Sequence, residues 1–163
     1  MEHTPPTVAY GFLTVVESST HGLFGGYLLV DPAGRPIEFH CTAPVKVSRA
    51  QQILYGATLH SHLHGRQIGA TLLAAGSLEP RIVLTDLESM LAVRSHTSLP
   101  VALVPAGDAS ADSAVGPAGV SVPEGDAAAA TGLREALDPL AASIDLREPF
   151  ARIRAAIEEA QRH

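Results

Sequence analysis

The sequence has one cysteine, no tryptophan and few aromatic residues, and its only lysine is Lys46. Each scarcity excludes something. A lone Cys41 cannot close an internal disulfide, so the fold must be held by packing. The arginines are scattered and form no basic cluster, which disfavours general nucleic-acid binding, since a protein that tracks phosphates needs a basic face. No stretch reaches the roughly 18 apolar residues of a membrane span; the run Val8 to Val16 is interrupted by Tyr10, Gly11 and Thr14. Met1–Pro6 carries an acid but no Lys or Arg, unlike a secretory leader. These absences lead to the expectation of a cytoplasmic protein with no membrane anchor.

What is present suffices for one core. The chain has 163 residues, 46% of them apolar, which excludes a wholly disordered polypeptide. Its formal charge of −6 is unevenly placed. Residues 1–104 hold 7 acids and 6 bases, whereas residues 105–163 hold 10 acids and 5 bases. No internal repeat is apparent.

Val8–Glu17 carries apolar side chains at odd and even positions alike, the pattern of a central strand covered on both faces. Phe24–Asp31 and Pro36–Ala43 read as hairpin partners across Asp31-Pro32-Ala33-Gly34, a turn with Asp first, Pro second and Gly at the left-handed exit. Ser48 is positioned to cap a helical segment over Arg49–Leu73, which Gly56, Gly65 and Gly69 interrupt, so that one long helix and two shorter ones broken near Gly65 are equally expected. Arg81–Thr85 is a short strand, Thr85-Asp86-Leu87-Glu88 has capping-box spacing for a helix reaching about Val93, and Pro100–Val104 is the last strand. The expected class is α/β, with α+β as the alternative.

Residues 105–132, almost entirely Ala, Gly, Ser, Asp, Pro, Val and Glu, read as a flexible linker between a compact domain over 1–104 and a helical tail over 133–163. In the tail, Leu133, Leu137, Leu140 and Ile144, then Phe150, Ile153 and Ile157, recur at helical spacing. Such a kinked amphipathic helix is expected to dock on the chain's own sheet in preference to a different protein.

The order of three strands, helix, strand, helix, strand, with Ile82-Val83-Leu84-Thr85-Asp86 leading into a helix, resembles the ribonuclease H-like fold. That resemblance implies an acid on the first strand, one on the first long helix and one after the fourth strand, together clamping two metal ions around a phosphate. Glu17 and Asp86 match the first and third. From Phe39 to Leu78, however, there is no Asp or Glu, so the helix cannot supply the middle carboxylate that hard cations require.

His60, His62 and His64 alternate in Leu59-His60-Ser61-His62-Leu63-His64-Gly65. On a helix, His60 and His64 fall one turn apart, a spacing that chelates a transition metal, with His40 or His96 as the third ligand. No glutamate stands between them, which removes the metalloprotease motif. Alternation on the third strand places Ile37, Phe39, Cys41 and Ala43 on one face and Glu38, His40 and Thr42 on the other. Cys41 is therefore expected to be a small, buried core residue and only a weak candidate nucleophile, while Glu38 and His40, two residues apart on one face, are placed so that they could pair. Gly22-Leu23-Phe24-Gly25-Gly26 leads into a strand and lacks the phosphate-cradling pattern.

No complete catalytic constellation emerges. The reading that fits best is a non-catalytic assembly or adaptor module without a cofactor, its partner another protein or a second copy of itself. The alternatives are a metal-dependent enzyme using the histidines and a degenerate ribonuclease H-like nuclease.

Overall fold

A computed structural model describes residues 8–18, 20–105, 120–123, 126 and 130–162. Five strands form one mixed sheet: β1 (Tyr10–Ser18), β2 (Gly22–Val30), β3 (Pro36–Cys41), β4 (Val83–Thr85) and β5 (Val101–Leu103). Their spatial order is β3-β2-β1-β4-β5, antiparallel through β3, β2 and β1 and parallel from β1 to β4 to β5. β1 is central, as its two-faced apolar pattern requires.

The β2–β3 turn forms as its residues dictate. The Gly34 amide donates to the Asp31 carbonyl at 2.8 Å, Asp31 Oδ1 accepts from the Ala33 and Arg35 amides at 2.9 Å each, and Gly34 takes φ +84°. Those backbone donors, that of Arg35 foremost, hold the Asp31 carboxyl below its usual range.

The following helical run opens at α1 (Arg49–Tyr55), where a reciprocal capping box joins the Ser48 hydroxyl to the Gln51 amide and the Gln51 side chain to the Ser48 amide, both at 3.1 Å. It is interrupted at Gly56, where φ is +54°, by a 3-10 turn (Gly56–Thr58). Helix α2 (Leu59–Ser61), a π-helical stretch (His62–Gly69) and α3 (Ala70–Ala75) complete the run. No break falls at Gly65, which lies inside the π stretch and is needed for another reason. A Cβ there would meet Ala92 Cβ at 2.8 Å and the Val93 amide at 2.9 Å, so only glycine permits this approach. The wider π turn also lets Leu63 and Ile68, five residues apart, both bury.

The segment after β4 departs from the expected α-helix. It is a 3-10 helix (Glu88–His96), and the Thr85 hydroxyl accepts from the Leu87 amide in place of a capping box. Three residues per turn stacks Met90 over Val93 on one edge, and both are fully buried against the sheet.

The C-terminal pattern resolves into α4 (Leu133–Ala141) and α5 (Glu148–Gln161). The break falls at 142–147, ahead of Pro149, which sits in the first turn of α5 where its missing N–H costs nothing. Leu133, Leu137, Leu140, Phe150, Ile153 and Ile157 pack on Tyr10, Phe12, Leu28 and Leu84, covering one face of the sheet. Each such side chain contributes about 1.5–3 kcal/mol. Phe12 and Phe150 meet edge to face at 5.3 Å, and the Tyr10 hydroxyl donates to the Ala136 carbonyl at 2.8 Å. The opposite face, with Leu13, Tyr27, Leu29, Val83 and Val101, is covered by Ile68, Leu72, Met90 and Val93. The tail docks on its own sheet, and the architecture is α/β with helices on both faces.

Most of the expected linker, namely 106–119, 124, 125 and 127–129, lies outside the described residues. Its described part is anchored: Val120 is buried in the same core as α4 and α5, Ser121 exchanges two backbone hydrogen bonds with Leu103 (2.6 and 3.0 Å), and Arg94 Nε donates to Asp126 at 2.9 Å.

One expectation is overturned here. Cys41 is exposed, because β3 is the sheet's edge and α5 covers β1 and β2, leaving Phe39 and Cys41 with little above them. The expected alternation holds from Glu38 to Thr42, with Cys41's cover missing, but Ile37 packs on the opposite face, with Leu29 and Tyr27, because the β2–β3 register shifts between Leu29 and Val30.

Candidate functional site

The ends of β1 and β2, the strand-like residues after β3 and the helical run enclose a cleft of about 590 Å³. Leu23 and Val45 form its floor through two reciprocal 2.8 Å backbone hydrogen bonds. Val15, Leu59 and Leu63 supply apolar wall, and Glu17, His60 and His64 supply its ionisable groups.

His64 is buried, and its Nδ1 lies 2.6 Å from the Ser89 hydroxyl. Burial, then the neighbouring His60, push its pKa down, and Glu17 opposes them. The exposed His60 ring sits 5.4 Å from that of His64, centroid to centroid. His62 turns elsewhere and stacks on Tyr55 at 4.5 Å. His40 and His96 do not line the cleft: His40 bonds to Glu38 across 2.9 Å on β3, and His96 is exposed at the end of the 3-10 helix. Among the described residues, no group of three or more His, Cys, Asp or Glu side chains is placed to hold a metal ion.

Glu17 and Asp86 are not brought together. Glu17 shares the cleft-side face of β1 with Leu13 and Val15, while Asp86 is reached from the other face. There, Asp86 Oδ1 accepts from the Thr14 hydroxyl at 2.6 Å and Oδ2 from the Arg154 guanidinium of α5; its side chain is only 13% exposed. The parity of Thr14 and Glu17 along β1 was open to sequence reasoning, but nothing local to Asp86 announces an arginine 68 residues later. Ser89 was missed for the same reason, since its only signal is the buried histidine it satisfies.

A third polar group ties β3 to the segment after α3. The Ser77 hydroxyl and amide donate to Glu38 at 2.6 and 3.1 Å, which with His40 holds the Glu38 carboxyl down at about 2. Burial, followed by the Glu38 charge, pushes the Tyr27 phenol well above its ordinary range.

No protein-family model, curated protein or solved structure matches this chain. Among the described residues, no helix is long and apolar enough to cross a membrane.

Proposed function

We propose that the chain is a non-catalytic assembly module that self-associates through α1. The observation that carries this reading is a helix that buries none of its residues yet presents Ile53 and Leu54, 66% and 82% exposed, with Tyr55 beside them. Large apolar side chains clustered on one helix next to an apolar cleft mark a contact surface, unlike hydrophobes scattered singly. The cationic side chains of this stretch, Lys46, Arg49 and Arg66, lie in a span from Phe39 to Leu78 that contains no acid. The acidic excess of the chain lies mostly in residues 105–132, with four acids and no base, whereas residues 133–163, which include α4 and α5, hold six acids against five bases. A second copy presents the same exposed apolar helix, so a two-fold contact can cover Ile53 and Leu54 of both copies at once, which favours it as partner.

The site of Asp86 supports an absence of carboxylate-metal chemistry there, since Thr14 and Arg154 already satisfy the side chain. If the strand and helix order reflects kinship with ribonuclease H-like proteins, this chain is a degenerate member in which an arginine neutralises the surviving acid.

Sedimentation velocity over a wide concentration range tests the reading. The wild type is expected to associate with a dissociation constant in the micromolar range, about −8 kcal/mol, and Ile53→Ser/Leu54→Ser to remain monomeric. A wild type that stays monomeric throughout, or association untouched by the double substitution, refutes it.

A further inference from the structure

We propose that the occupant of the cleft is α1 of a second copy, each copy seating Ile53 and Leu54 in the other's cleft about a two-fold axis. This inference rests on the self-association reading and specifies where the helix lands. Helix α1 stands on the rim of the cavity, since Gln52 lines it together with Val47 just ahead of the helix. At about 100° per residue, Leu54 lies on the far side of α1 from Gln52. The chain therefore cannot turn Leu54 into its own cleft, and it stays 82% exposed. Because helix and cleft adjoin on one surface, a single two-fold contact lets the helix of each copy enter the cleft of the other.

The cleft has the size and lining for such a guest. Its volume of about 590 Å³ is that of a cavity able to take several apolar groups, and Val15, Leu23, Val45, Leu59 and Leu63 make its wall mainly apolar. An exposed apolar helix face laid into an apolar groove is a recurring mode of recognition. Charge selects this helix as the guest. Glu17, the acid in the lining, is exposed and forms a salt bridge with no Arg or Lys among the described residues. Arg49 is also exposed and lies one turn before Ile53 on the same side of α1, where its guanidinium reaches only the neutral Gln52 side chain, at 3.4 Å. A helix that delivers Ile53 to the cleft of the other copy brings Arg49 alongside, and the acid there meets a base.

Sedimentation velocity on the full chain, with Glu17→Arg and Arg49→Glu made separately, tests the arrangement. A two-fold dimer of either variant sets like charges against each other twice, and each variant should associate at least about tenfold more weakly than the wild type. An equimolar mixture of the two should regain association to within about threefold of the wild type, because the mixed dimer again joins unlike charges at both contacts. Pairing of residues 17 and 49 within one chain cannot produce that recovery. Charge-reversed variants that associate like the wild type, or a mixture as weak as its components, overturn the proposal; if Ile53→Ser/Leu54→Ser still abolishes association, the helices meet outside the clefts and the self-association reading stands. A wild type that stays monomeric overturns both.

Discussion

Arg154 of α5 places its guanidinium on the carboxylate of Asp86 at the end of β4, on the face of the sheet opposite Glu17. The contact does two things. It satisfies an acid that is largely withdrawn from water, and it pins the C-terminal helix to the parallel half of the sheet, 68 residues back in the chain. Thr14 completes the arrangement from β1.

Removing one partner should therefore cost more than removing both. Arg154→Ala leaves a poorly solvated carboxylate with only the Thr14 hydroxyl and is expected to destabilise by about 1–3 kcal/mol. Arg154→Ala/Asp86→Asn should recover part of that loss. Urea denaturation of the two single variants and the double variant measures the coupling; additivity would show that the pair contributes nothing.

The approach of α5 to the sheet depends on Gly26. A Cβ at that position would lie 2.3 Å from Ile153 Cγ2, so Gly26→Ala is expected to cost about 1–3 kcal/mol, the range for overpacking. Ile153→Ala in the same chain should partly compensate. A Gly26→Ala variant as stable as the wild type would show that α5 does not seat on β2.

Cys41 provides the opposite case. Because it is exposed on the edge strand, Cys41→Ser should change stability by no more than about 0.5 kcal/mol. In the native protein its thiol should react with a disulfide reagent at a rate near that of a free thiol, and slow reaction would place it under cover.

Glu38 sets an acid limit on the tie between β3 and the segment after α3. Its carboxyl is held at about 2, first by the Ser77 hydroxyl and then by His40, against an ordinary 4.5. The folded value lies below the unfolded one, so the stabilisation is present above about pH 4.5 and is lost as pH falls toward 2. Ser77→Ala should move the Glu38 titration upward in a carboxyl-resolved NMR experiment and make unfolding begin at higher pH. An unmoved Glu38 titration would mean that Ser77 is not its main partner.

The strands and turns were legible because local chemistry and the faces they need coincide. β1 is apolar on both sides and ends up central, Asp31 and Gly34 make the turn they spell, and Ser48 caps α1. The apolar spacing of residues 133–157 likewise indicated a helical tail with one side to bury. Period and propensity act between residues a few positions apart, and sequence displays those directly.

The sequence by itself determined the class, the order of elements and the face that Glu38 shares with His40, while the register shift that turns Ile37 to that same face came from the sheet. The tertiary structure alone decided which faces are covered. Cys41 faces outward because β3 lies at the edge beyond α5, and Gly65 permits helical packing where local propensity indicated a break. It also decided which distant groups meet: Arg154 with Asp86, Ser89 with His64, and Glu17 with the cleft that His40 and His96 do not reach. The reason is that cover and long-range pairing are set by how whole elements stack, and stacking is a sum over many side chains far apart in the chain, which no local window of sequence contains.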